Sequence, residues 1–449
     1  MKLLTVVLTA FLVSTSAFAA PKKQQQSGPV RINPTSLRTL LLSRNIDIAI
    51  ALNEVHQAKA RVSQARGSLL PSVNLGSVIS SGPSFMLTSV NFLLPFLMPS
   101  NWMDLKENTH LLRAQGTSYY IAQLNTYASA YSLYLTVIGD IQLRNALQKQ
   151  YENYKSIEEY LRLPAEEGII SKEEYLQAQA QAELALVQVS QVDELIKREK
   201  ASVREMLALE LNQEIIFEDA KVASSEIEGL APQVVLDRVH DKSPETAQMN
   251  SLITAAEYNK WSKAFSFLSG SSLGMTRPVS GGSFSSVTQS GSVSFGFGYF
   301  PALELSNLNI KQLRLRKQEL KLEQAQLIES TLGSLQEAQR QYAAAVQAET
   351  NLNQVYNAEV MRYKEGITDL LHVLEAGNAL TNSVVNRVKA ATSVANLRIS
   401  LHRLTVSDQF TAIEKCEIER RSSGGIRGKL GRIFNPGKDR VTLDQVCGN

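Results

Sequence analysis

Few residues of this chain are spaced for chemistry. Five histidines, His56, His110, His240, His372 and His402, show no metal-ligand spacing. No Gly-x-Ser-x-Gly elbow, phosphate loop or paired-Cys motif occurs, so the sequence argues against an enzyme and calls for no cofactor. The two cysteines, Cys416 and Cys447, sit in the tail. In an oxidising compartment they form one disulfide or stay as two free thiols. What remains is a run of titratable groups at Tyr363-Lys364-Glu365-Gly366-Ile367-Thr368-Asp369-Leu370-Leu371-His372-Val373-Leu374-Glu375-Ala376.

That run has an echo 198 residues earlier, Gly168-Ile169-Ile170-Ser171-Lys172-Glu173-Glu174-Tyr175-Leu176-Gln177-Ala178. Gly168 pairs with Gly366, Ile169 with Ile367, Leu176 with Leu374 and Ala178 with Ala376. Each copy has a glycine that can break a helix. A side-chain oxygen follows that can cap a new one, on Ser171 or the Thr368–Asp369 pair. Each copy therefore reads as a reversal between two helices, and the pair as a duplicated helical hairpin.

The elements around the reversals are long. The chain has 449 residues, 44% hydrophobic and 20% charged, and a net charge of +3. So small a charge, with no basic-aromatic interleaving, argues against nucleic acid as a partner. Lys2, the apolar run Leu3 to Val13 and Ala17-Phe18-Ala19 read as an export signal cut after Ala19; the run is shorter than a membrane anchor needs. No other segment holds 18 uninterrupted apolar residues. The mature chain is expected to be exported without a transmembrane helix.

Prolines leave gaps at 100–163, 165–231 and 302–435, where very long helices fit. We divide the chain into a signal peptide (1–19), a polar leader (20–35), a first repeat (36–209), a connector (210–232), a second repeat (233–406) and a basic tail (407–449) expected to be disordered. Helices are expected over about 36–68, 104–163, 172–209, 241–267, 301–366 and 368–406. A helix over 301–366 would be about 100 Å long.

Between the helices the hydrophobic period shortens to two. Val73, Leu75 and Ile79, then Phe85 to Phe92, read as strands in the first repeat. In the second, Val293, Phe295, Phe297 and Tyr299 share one face of a strand, with Ser292, Ser294, Gly296 and Gly298 on the other. Aligning Leu94-Pro95 with Phe300-Pro301 makes the second hairpin about eight residues longer and its following helices shorter to match. Four short strands cannot close a barrel alone. Alternation of aromatic with small or polar residues suits a wall with lipid outside and water inside, which needs further chains.

The ordered set of export signal, duplicated plan, Leu69-Leu70-Pro71 helix-to-strand junction and Gly366-to-Ala376 motif resembles the TolC family of outer-membrane channel proteins, over roughly residues 36–406. The resemblance implies a mainly α fold with a small β part. Duplicated long-helix hairpins and two β-hairpins per protomer would build a homotrimer, whose 12-stranded outer-membrane β-barrel continues as a periplasmic α-helical barrel. It implies passive export, with an inner-membrane transporter supplying energy and a periplasmic adaptor docking on the tips. Small-molecule efflux is the default cargo and protein secretion the alternative. A periplasmic coiled-coil scaffold without a barrel is the rival of another class.

By position, the resemblance puts the periplasmic entrance at Tyr363, Thr368, His372, Glu375 and Glu174, and the adaptor-docking tips at Gly168, Ile169, Ser171, Gly366, Ile367 and Asp369. Val293, Phe295, Phe297 and Tyr299 would face lipid. The family pattern has carboxylates six and nine positions after the glycine. Here His372 replaces the first and Glu375 keeps the second. An Arg two positions after the glycine is replaced by Thr368. The substitution at His372 makes a pH-dependent conductance an expectation, since imidazole changes charge near neutrality.

Overall fold

The computed structural model describes residues 29–70, 98–220, 222–266, 271–276, 286–291 and 298–414. The export signal, the strand candidates between 73 and 92, Val293, Phe295 and Phe297, and the tail beyond 414 with both cysteines lie outside them.

Helices dominate the described residues. Where one helix is expected over 36–68, there are two, α1 (Pro34–Arg44) and α2 (Ile46–Gly67). Asn45 divides them. Its side chain accepts from the Ile48 amide at 3.0 Å and donates to the Met206 carbonyl at 2.8 Å, so the backbone leaves the helix to form a cap.

Next come α3 (Pro99–Glu166), the first reversal and α4 (Lys172–Met206). The helix expected over 241–267 is likewise two, α5 (Pro232–Lys242) and α6 (Pro244–Phe265). Ser243 caps the second through the Thr246 amide at 3.2 Å, and Pro244 holds its predecessor extended. Last are α7 (Tyr299–Lys364) and α8 (Leu370–Thr405).

The duplication keeps one offset. α1 and α5, and α2 and α6, begin and end 198 residues apart. α3 and α7 end 198 apart, at 166 and 364; α4 and α8 begin 198 apart, at 172 and 370. This corrects the longer second hairpin. The stretches from α2 to α3 (68–98) and from α6 to α7 (266–298) differ by two residues, because α3 starts two positions earlier in the repeat.

Two strands of the second repeat fall within the Ser/Gly-rich region 268–299, where strands are expected. β3 (Ser271–Thr276) and β4 (Ser286–Gly291) pair antiparallel, Ser271 opposite Gly291 and Thr276 opposite Ser286. Tyr299 is not on a strand; it opens α7. Pro301 sits in that first helical turn, where its missing N–H costs nothing, and the Tyr299 hydroxyl donates to the Ala264 carbonyl of α6 at 2.7 Å.

Two ends expected to be unstructured are folded in part. β1 (Val30–Ile32), in the leader, pairs in parallel with β2 (Ile215–Phe217) of the connector, and Ile32 is fully buried. A 3-10 turn at Asp408–Ala412, in the expected tail, buries Phe410 against Tyr127, ring centroids 5.1 Å apart. Both join a core where Tyr127 and Tyr134 of α3, Leu37 and Leu41 of α1 and Leu207 after α4 meet. The apolar residues were there to see, but their partners are about 180 or more residues away, so no local pattern reveals the pairing.

α3 and α7, of 68 and 66 residues, run about 100 Å each at 1.5 Å per residue. Toward the strands α3 lies between α2 and α6, and α6 touches α7; toward the reversals α3 lies against α4 and α8, and α8 against α7. Gly139 marks one close approach, since a Cβ there would meet Thr392 Oγ1 of α8 at 2.8 Å. No helix among the described residues is long and apolar enough to cross a membrane.

Candidate functional site

The two reversals are built alike. Gly168 and Gly366 adopt φ of +72° and +71°, a conformation that favours glycine. After each, the next amide turns back: Ile169 N–H to the Pro164 carbonyl at 2.8 Å, and Ile367 N–H to the Arg362 carbonyl at 2.9 Å. Ser171 and Asp369 then cap the returning helices through the amides of Glu174 and His372, both at 3.2 Å. The cap in the second copy is Asp369, not Thr368, which is half-buried. Ile169 and Ile367 stand at the turns 72% and 69% exposed. Apolar side chains this exposed at both tips are an uncovered surface.

Glu173 and Glu174 lie in the first turn of α4, where the helix dipole favours negative charge. Tyr363, like Ile170 and Tyr175, is half-buried against the apolar cluster that includes Leu161, Leu370 and Leu374. Burial raises the pKa of its phenol, and the charge of Glu174 adds to the rise. The fold therefore brings Tyr363 and Glu174, 189 positions apart, to one tip. His372 and Glu375 share an exposed face of α8: His372 Nδ1 is 3.7 Å from Glu375 Oε2, and Nε2 is 4.0 Å from Asp369 Oδ1. His372 thus stands between two carboxylates.

Behind this tip lies a cluster that sequence reasoning missed. Tyr154 of α3 is 1% exposed and its ring sits against Gly377 of α8. Gln150 Nε2 donates to the Tyr154 hydroxyl at 2.9 Å and to the Gly377 carbonyl at 3.0 Å. Tyr154 donates to Asn378 Oδ1 at 3.4 Å, and Gln181 of α4 donates to the same oxygen at 2.8 Å. Thr381 hydrogen-bonds Gln150. Across α8, Tyr356 of α7 is buried on Val373 and Ala376; burial and then Tyr154 push its pKa up to about 12. The one signal in sequence is a glycine inside a helical pattern.

Further along α3, Asp140 bonds Glu199 of α4. Burial, then the Asp140 charge, raises Glu199 to about 8, and its Oε2 is buried without a hydrogen-bond partner. Among the described residues no group of three or more His, Cys, Asp and Glu could hold a metal.

No family model matches the sequence, and no curated protein does. Solved structures do. The CmeC outer membrane channel of Campylobacter jejuni superposes with a TM-score of 0.69 at 17% identity, covering 88% of this chain and 93% of that one. The chain has a TolC-like fold. Outer membrane protein VceC of Vibrio cholerae shares this fold with a TM-score of 0.66 at 14% identity, over 83% of this chain and 95% of that one. The open state of the MtrE outer membrane channel of Neisseria gonorrhoeae gives 0.65 at 13%, over 83% and 88%. At these identities the likeness is one of fold, and the TolC-like fold puts both reversals at one end of the long helices and the β3–β4 hairpin at the other.

Proposed function

We propose that this chain is the protomer of a homotrimeric outer-membrane channel, the passive exit duct of a tripartite efflux system for small molecules. The observation that carries this reading is the TolC-like fold over 88% of the chain, shared with a protein described as an outer membrane channel. Two further features support it. Exposed aromatics gather at the ends of α3, α6 and α7 away from the reversals: Trp102 and Phe300, equivalent at offset 198, and Trp261 are 37%, 73% and 52% exposed, where interfacial aromatics belong. Leu308, Leu315 and Leu322 of α7 are exposed at seven-residue steps, a seam open to a neighbouring chain.

In this reading three copies close a 12-stranded barrel in outer-membrane lipid, and their helices enclose a periplasmic tunnel. Tyr363, Thr368, His372, Glu375 and Glu174 ring its entrance. Gly168, Ile169, Ser171, Gly366, Ile367 and Asp369 form the tips, whose exposed isoleucines receive a periplasmic adaptor bound to an inner-membrane transporter. The native mass and membrane fraction of detergent-extracted protein test this. A trimer from the outer membrane is the expected result. A soluble periplasmic monomer would overturn it in favour of a coiled-coil scaffold.

A further inference from the structure

Between α6 and α7, near the ends away from the reversals, lies a groove of about 450 Å3. Glu257, Lys260 and Trp261 of α6 line one wall, and Lys311 and Arg314 of α7 the other. Ile310 of α7 adds a buried apolar lining. Arg314 Nη2 donates to Glu257 Oε1 at 2.8 Å. That contact uses one of the five guanidinium donors and holds the group at the groove. Three cations face this one carboxylate, a surplus of two positive charges at neutral pH. Both walls belong to one chain, so the groove is complete without a partner copy.

The duplicated fold does not require these residues. At offset 198, Lys260 corresponds to Val62, Trp261 to Ser63 and Arg314 to Gly116. Val62 is 4% exposed in the central core, and Gly116 is buried. The first repeat thus places small or apolar groups in its interior where the second carries two cations. Lys260 is half-buried, and withdrawing charge from water costs free energy unless a counter-charge meets it. A bound anion would supply that counter-charge.

The neighbours of the cations say which anion fits. Trp261, half exposed, stacks on Phe265 with ring centroids 6.0 Å apart and planes 24° apart. An indole beside cations suits a ligand with an apolar body and a charged head, and such rings collect at the bilayer interface. Trp261 lies about 6 Å short of the end of α6, and Glu257 about 12 Å short. The headgroup layer on each side of a bilayer is about 5–8 Å deep. Lysine and arginine stems extend the reach of their charges toward it.

We propose that this groove binds the phosphate headgroup of an anionic phospholipid on the periplasmic side of the outer membrane. Lys260, Lys311 and Arg314 pair with the phosphate, and Trp261 lies against the start of the acyl chains. A trimer would hold three such lipids, which fix its depth in the bilayer. The inference rests on the channel reading above and names a lipid that the channel takes.

The test is native mass spectrometry of the full-length protein in detergent, titrated with phosphatidylglycerol or with phosphatidylcholine of the same chains. Wild type is expected to prefer phosphatidylglycerol about tenfold, with three tightly bound copies per trimer. Lys260→Gln with Lys311→Gln is expected to reduce the preference to about twofold or less. Lys263→Gln with Arg316→Gln removes the same charge outside the groove and is expected to keep it. Arg314→Gln alone carries the test if the first pair does not fold, and is expected to weaken the preference several-fold. Inorganic phosphate at millimolar concentration is expected not to displace the lipid; displacement would make the groove a site for free phosphate and overturn the proposal. A membrane trimer without the preference, or one that loses it equally in both double variants, overturns the lipid site alone. A soluble periplasmic monomer overturns the channel reading and the lipid site with it.

Discussion

Ala208 and Val406, 198 residues apart, both turn left-handed within two residues of their helix ends, with φ of +45° and +47°. The duplicated fold thus repeats a strained conformation without glycine in either copy. The αL region costs an L-residue about 1–2 kcal/mol. Ala208 is exposed, so Ala208→Gly is expected to stabilise the protein by about 1 kcal/mol, read as a rise in thermal midpoint. Val406→Gly should gain less, because Val406 packs on the central core. A lower midpoint for Ala208→Gly would sink the strain argument.

The reversals allow a cleaner contrast. A Cβ added at Gly168 or at Gly333 meets nothing within 4 Å, so only backbone preference separates them. Gly168→Ala, at positive φ, should cost about 1 kcal/mol or more. Gly333→Ala, inside α7, should gain about 0.5–1 kcal/mol. Denaturant midpoints of the two variants should move in opposite directions; movement in the same direction would contradict the assignment.

Much of this plan was legible in the chain. Gly168, Gly366, Ser171 and Asp369 disclose the reversals because a helix stop and a cap are local events. The breaks at Asn45 and Ser243 were local too, yet the hydrophobic stripe runs through them and conceals them. β1 with β2, Phe410 on Tyr127 and Tyr154 on Gly377 were illegible for a different reason. Each joins residues about 180 or more positions apart and leaves no periodic trace. Tyr299 misled because a two-residue alternation of aromatics runs directly into a helix start.

The Asp140–Glu199 pair predicts an unusual pH dependence of stability. Its raised pKa means that the folded chain keeps a proton which the unfolded chain releases above the ordinary glutamate value of 4.5. Stability should therefore fall as pH rises from about 5 to about 8, across the window between the two values. Glu199→Gln should flatten this slope and melt higher than wild type at about pH 8. Parallel melting curves for the two proteins would mean that Glu199 retains no proton on folding.

Loss of the Asn45 cap should be costly beyond one helix. Asn45 is 6% exposed and joins the start of α2 to the last turn of α4. Asn45→Ala leaves the Met206 carbonyl and the Ile48 amide without these partners, and should cost about 2 kcal/mol. Asn45→Asp, which keeps the acceptor but not the donor, should recover part of it. Equal midpoints for the two variants would mean that the cap itself contributes nothing.

α3 and α7 pass from the strand end to the reversals without a break, and that continuity makes each a torsion bar. Deleting one residue mid-helix would rotate everything beyond it by about 100° and draw it back about 1.5 Å. Deleting seven would leave a phase error of only about 20°. Viable length variants of this chain should therefore change both bars together and in steps near seven, since any other step would present the wrong face of Tyr154 to Gly377 and turn the tips away from their neighbours.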